Sequence, residues 1–219
     1  MDAYRCASPS IDRHVFHKKY YFIIVPLLIA MTFFGMILLI YLPQTTLNYG
    51  IGLSFCVVVY FLLVNKTNTF YFKELIVAMV YSVGIFIGPL STMTHGMIYL
   101  DYILVIQLFL HALINLTLFS LIEYDLDRID GHHSIVQKYG LKKTKKAIKT
   151  LFIILLILQI YALLPVLADF DRLIFQCIFI LMTTLLYMVF YFQDALHKHS
   201  YYRVIGDGIF FMPALYLFI

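Results

Sequence analysis

The densest polar stretch in the chain runs Glu123-Tyr124-Asp125-Leu126-Asp127-Arg128-Ile129-Asp130-Gly131-His132-His133-Ser134, and Leu141-Lys142-Lys143-Thr144-Lys145-Lys146 follows just after Gly140. Carried on a helix, Glu123, Asp127 and Asp130 stand at i, i+4 and i+7 on one face, while Asp125 points away. Carboxylates gathered in this way repel one another unless a cation sits among them. Mg²⁺ is the natural candidate, a hard ion that takes one or two carboxylates together with phosphate oxygens. The lysines beyond could hold the rest of a diphosphate as point charges. The plain alternative is a solvated loop whose acids face water and whose lysines mark one side of a membrane or touch anionic lipid, as basic inner loops commonly do. Gly131 also has a purely structural explanation, as the residue expected at a helix C-terminus.

Other polar residues carry weaker signals. Asp101 and His111 fall inside an apolar run, and Glu74, Asp194 and Asp207 lie near the ends of others. An ionisable group inside a bilayer is costly and invites a functional explanation. Asp101, however, stands close enough to the outer interface to be wet, and His111 near mid-span reads as a hydrogen-bonded structural residue. The pairs His132/His133 and His197/His199 have no cysteine or third ligand at zinc-like spacing and read as loop histidines. The 18 Tyr and 20 Phe could line a pocket that stabilises a carbocation. Interfacial belts and lipid-facing packing account for most of them.

These residues must be positioned by elements, and composition says which. Of 219 residues, 63% are hydrophobic and 13% charged, against about 45–50% and about 25% in soluble domains. The mean hydropathy is +0.90. That leaves too little polar surface for a water-soluble core and excludes a disordered chain. Three scattered cysteines give no disulfide framework. On a ruler of roughly 20 apolar residues per crossing, seven spans are expected: Tyr20–Leu42, Leu47–Val64, Leu75–Ser91, Met97–Ile122, Thr150–Leu167, Leu173–Phe192 and Val204–Ile219. The runs are continuously apolar rather than alternating, which favours helices over barrel strands.

Lys and Arg set the orientation. With seven spans, fifteen of the sixteen fall on one side, in segment 1–19, the 65–74 loop, the 123–149 loop and the 193–203 loop, and only Arg172 falls on the other. The expectation is one all-α transmembrane domain over residues 1–219. Its N-terminal segment 1–19 and its acidic 123–149 loop are cytoplasmic, and its C-terminus lies outside. The net charge of +4 answers to this topology rather than to nucleic acid.

The run from Asn115 through Gly140, with Glu123, Asp127, Gly131 and Ser134 at their spacing, resembles the second aspartate-rich motif of UbiA-type membrane prenyltransferases. Lys73-Glu74 before Leu75-Ile76-Val77-Ala78 is similar to the Lys-Asn entry of that family's central span. Asp12-Arg13-His14-Val15-Phe16-His17-Lys18-Lys19 resembles a basic loop of a divergent bacterial branch. The resemblance implies a UbiA-like bundle in the cell inner membrane that transfers an isoprenoid from its diphosphate to an aromatic or similar lipophilic acceptor. It implies Mg²⁺ held by Glu123 and Asp127 with help from Asp130, and a diphosphate positioned by Lys73 and Lys142. It assigns no catalytic residue. Family members have about nine helices and a first aspartate-rich motif, of which only Asp2 could be the tail here, so weak or absent transfer is expected of this form. The rival expectation is a non-catalytic multi-pass protein, either a partner subunit or a small permease.

Overall fold

The computed structural model describes residue 16 and residues 19–66, 73–92, 99–129, 134–166, 169–197 and 201–218. All the regular structure among them is helical. The elements are α1 (Tyr21–Leu38, continued by a 3-10 turn Leu39–Tyr41), α2 (Gln44–Lys66), α3 (Lys73–Thr92), α4 (Tyr99–Ile122), α5 (Tyr124–Ile129) and α6 (Ile135–Tyr139). They continue with α7 (Leu141–Val166), α8 (Phe170–Tyr191), α9 (Gln193–His197), α10 (Tyr201–Gly208) and a 3-10 stretch Ile209–Phe218.

Five of the described helices are long and apolar enough to cross a membrane: α1 with its 3-10 turn, α2, α4, α7 and α8. Helix α3, with 20 residues, occupies the third expected span. The last expected span takes a different form. It begins as α10 and tightens into 3-10 geometry around Pro213, which has no N–H to give an α-turn. Because a 3-10 helix rises about 2.0 Å per residue against 1.5 Å for α, the described part of this span, Val204 to Phe218, extends about 28 Å.

Helix α4 is the axis of the bundle and packs against α3, α7 and α8. Its buried residues include Leu108, Ile114 and Leu118, which meet Ile148 and Leu155 of α7, Met182 and Leu186 of α8, and Ile209 of the 3-10 stretch. Spacing explains the faces. On α7, Thr144, Ile148, Phe152, Leu155, Gln159 and Ala162 recur every three or four residues and are buried, whereas Lys142, Lys143, Lys145, Lys146 and Lys149 stand exposed between them. In a bilayer, lipid tails are as apolar as leucine, so close contact and hydrogen bonding favour this packing more than escape from water does. The hydrogen bonds are there: Thr45 and Thr46 at the start of α2 bond Ser91 at the end of α3. Helix α1 stands apart, with no buried residue.

The segment expected as a loop over 123–149 is largely helical. The N–H of Asp127 bonds the carbonyl of Glu123 at 2.8 Å, so α5 continues α4 with little interruption. Gly140, at φ +80°, makes the left-handed break between α6 and α7 that side-chain-bearing residues resist. The described cysteines Cys56 and Cys177 are unpaired. Asp101 is buried rather than wet: it faces Arg172 at 3.6 Å, and Arg172 also holds Asp169 at 3.1 Å. The lone basic residue of the expected outer side thus has a local electrostatic reason for its place.

With the loops paired as the charge split requires, reporter fusions at Gly96 and Gly140 are expected to read opposite compartments. Readings from the same compartment would show that the count of crossings between them is even.

Candidate functional site

The polar groups converge at the lysine-rich end of the bundle, where α4 passes into α5 and α7 begins. Glu123 sits at that junction and is already bound. Its Oε1 accepts from the Tyr202 hydroxyl and from Arg203 Nε, and its Oε2 accepts from Arg203 Nη2. This bidentate guanidinium–carboxylate pair is a strong, directional contact. Its surroundings hold it in place. The Arg203 guanidinium lies 5.4 Å from the centre of the Phe119 ring, and Tyr202 meets the same ring edge-on at 5.7 Å. Burial, and after it the bond to Glu123, pushes the Tyr202 phenol up to about 12. Gly206, one turn further along α10, lets the helix approach α4: a Cβ there would fall 2.4 Å from Asn115 Oδ1 and 2.7 Å from the Phe119 ring.

A second carboxylate works nearby as a structural tie. Glu74 is buried, and its Oε1 accepts from Ser120 Oγ at 2.8 Å and from the Ile135 N–H at 3.4 Å. It joins α3 to α4 and to the start of α6. Lys73, beside it, is half-buried at the first residue of α3.

On the other side of the α4–α5 junction lies a cavity of about 340 Å³. Leu121, Ile122 and Leu141 supply its apolar lining, and Tyr124, Asp125, Lys145, Gln193 and Asp194 supply its polar lining. Asp125 comes from α5, Lys145 from α7 and Asp194 from α9. Leu141 and Lys145 line it together because they are one helical turn apart.

The expected site residues therefore separate. Glu123 and Asp127 do lie one turn apart, as their spacing predicts, but the arginine meets both oxygens of Glu123. Asp130 falls outside the described residues. Lys142 is exposed on α7, and neither it nor Lys73 is among the residues that line the cavity. Among the described residues, no three His, Cys, Asp or Glu side chains gather closely enough to hold a metal ion. Glu123 in this arrangement does not fit the role of a Mg²⁺ ligand, since a guanidinium occupies the position a cation would take. The cavity offers a different donor set, two carboxylates and an ammonium, and Mg²⁺ needs only one or two carboxylates when phosphate oxygens complete its shell.

Sequence reasoning left Arg203 and Tyr202 out of the site and turned Asp125 away from it. One signal was available for the cavity: Leu141 and Lys145 share a helix face, as do Leu121 and Asp125. Compared with family models, curated proteins and solved structures, the chain matches none.

Proposed function

We propose that the chain is a UbiA-like inner-membrane protein, oriented with its N-terminus in the cytoplasm, which takes an isoprenoid diphosphate at its cytoplasmic face and transfers the prenyl group to a lipophilic acceptor. The cavity beside Asp125 carries this reading. It combines an apolar lining with carboxylates and an ammonium at the end of the bundle, as an amphiphile with a charged head requires. Lys145 would meet phosphate oxygens as a point charge, and Leu121, Ile122 and Leu141 would take the first isoprene unit. Asp125 and Asp194 would hold Mg²⁺, which supplies a Lewis acid to offset charge on the departing diphosphate. The first turn of α7 has no acidic residue to balance Lys142 and Lys143, and cations at a helix N-terminus are unfavourable without an anion nearby. That too favours an anionic ligand or lipid surface here.

A second reading has its own support. With Glu123 neutralised by Arg203, the motif that suggested catalysis is engaged in holding α10, and a non-catalytic partner subunit fits that use. Thermal unfolding in detergent separates the two. Mg²⁺ with farnesyl diphosphate at about 100-fold its Kd should raise the midpoint by roughly 5–10 °C. Asp125→Asn with Asp194→Asn should remove most of that gain, while Asp127→Asn should keep it. No gain in the unmodified chain would leave the non-catalytic reading in possession.

A further inference from the structure

Near the middle of the bundle, three helices bring polar side chains together where hydrocarbon is expected on every side. His111 of α4 bonds the Gln107 carbonyl through Nδ1 at 2.7 Å, and its Nε2 lies 2.9 Å from Thr183 Oγ on α8. Gln159 of α7 donates through Nε2 to Thr183 Oγ at 2.7 Å and to the Phe179 carbonyl at 3.0 Å. His111 Nε2 also lies 3.1 Å from the Phe179 carbonyl, to which the Thr183 hydroxyl donates at 3.0 Å. Whichever ring nitrogen carries the proton, both protons of the Gln159 amide are in use.

The carboxamides are then left over. Among the described residues nothing bonds Gln107 Oε1 and Nε2, Gln159 Oε1 or Gln176 Oε1, and these three side chains are 0–2% exposed. Gln176 shares its helix face with Phe179 and Thr183. Asp101 meets Arg172 near one end of α4, and His111 meets Thr183 near its middle. The two helices therefore run side by side in parallel, and in that register Gln107 and Gln176 lie within about one turn of the same height. Each lies about one turn from the midpoint of its helix, toward the end that holds Asp101 and Arg172. No bulk solvent reaches such groups from outside at that depth, and leaving them without partners is costly.

We propose that these carboxamides form a binding site inside the bundle, within the bilayer, for a neutral hydroxyl, that of water or of an alcohol dissolved in the membrane. The inventory selects this chemistry. Three oxygens ask for donors and one amide nitrogen asks for an acceptor, and a hydroxyl supplies both. A cation would leave Gln107 Nε2 unmet. An anion would leave the oxygens unmet, and no charged side chain in the cluster offsets either at this depth.

The test uses the full chain in lipid nanodiscs with its glutamine side chains labelled with ¹⁵N. Magnetisation transfer is measured from water, and then from the hydroxyl of added 1-octanol, to the side-chain amides. The Gln107 and Gln159 amides should receive magnetisation from one of these sources, and the source that succeeds identifies the hydroxyl. In Gln107→Met, transfer to Gln159 should fall several-fold. If neither source reaches these amides in the unmodified chain, or if Gln107→Met leaves transfer to Gln159 unchanged, the proposal is overturned.

Discussion

Arg203→Ala should lower the midpoint of thermal unfolding in detergent by roughly 4–12 °C. The substitution leaves Glu123, whose side chain is 13% exposed, without its cation. Breaking a fully buried pair from one side costs about 3–5 kcal/mol. With the Arg203 side chain 33% exposed, the loss here is about 2–3 kcal/mol, and a chain of this size loses about 2–4 °C per kcal/mol. Packing adds to the loss, because the guanidinium also covers the Phe119 ring. Replacing both partners, as Glu123→Gln with Arg203→Met, should recover much of the midpoint, since no charge is then stranded. If Arg203→Ala melts with the unmodified chain, the pair is not holding α10 to α4. Tyr202 adds a pH dependence of definite sign. Its phenol titrates at about 12 when folded and near 10 in an unfolded chain. Its contribution is therefore complete below pH 10 and lost as pH rises toward 12. Tyr202→Phe should lose less stability than the parent across that window.

Gly206→Val should be nearly as damaging, through sterics rather than charge. The first added carbon would meet Asn115 Oδ1 and two carbons of the Phe119 ring at 2.4–2.8 Å. A side-chain tip that could swing aside would make this cheap, but the Phe119 ring is caught between Tyr202 and Arg203. Forcing extra atoms into such a place costs about 1–3 kcal/mol, and the β-branch makes valine the worse choice. Gly206→Ala should lower the midpoint by about 3–8 °C, and Gly206→Val by more. Gly208, with nothing within 4 Å of its would-be Cβ, is the control and should tolerate alanine with far less change. Equal effects at the two glycines would mean that helix propensity, not the approach to α4, governs this segment.

Much of this arrangement was legible in the sequence because apolar run length and local spacing are short-range signals. The long helices fall close to the expected spans, and Glu123 and Asp127 do share a helical turn. The lysine run is where local reading went astray. Its charges suggested a loop, yet Thr144, Ile148 and Phe152 already carry helical spacing through it, and that stripe is what packs. The partner of Glu123 could not be read locally, because Arg203 lies 80 residues away and in sequence is one more basic residue at a membrane edge. Asp125 shows a subtler limit. Helical phase turned it away from Glu123, but only the placement of α7 and α9 makes that opposite face a cavity.

Helix α1 has a consequence for how the chain is made and how it responds to its membrane. No described residue of α1 is buried, and its backbone hydrogen bonds are satisfied within the helix itself, as a lone span in lipid requires. It can leave the translocon alone and wait in lipid while the later helices assemble around α4. Its lean is then set by the match between its length, about 33 Å with the 3-10 turn, and the thickness of the surrounding hydrocarbon. In a thinner bilayer α1 tilts further while the α4–α7–α8 core, locked by its own contacts, does not follow, and the strain falls on the short link at Leu42 and Pro43.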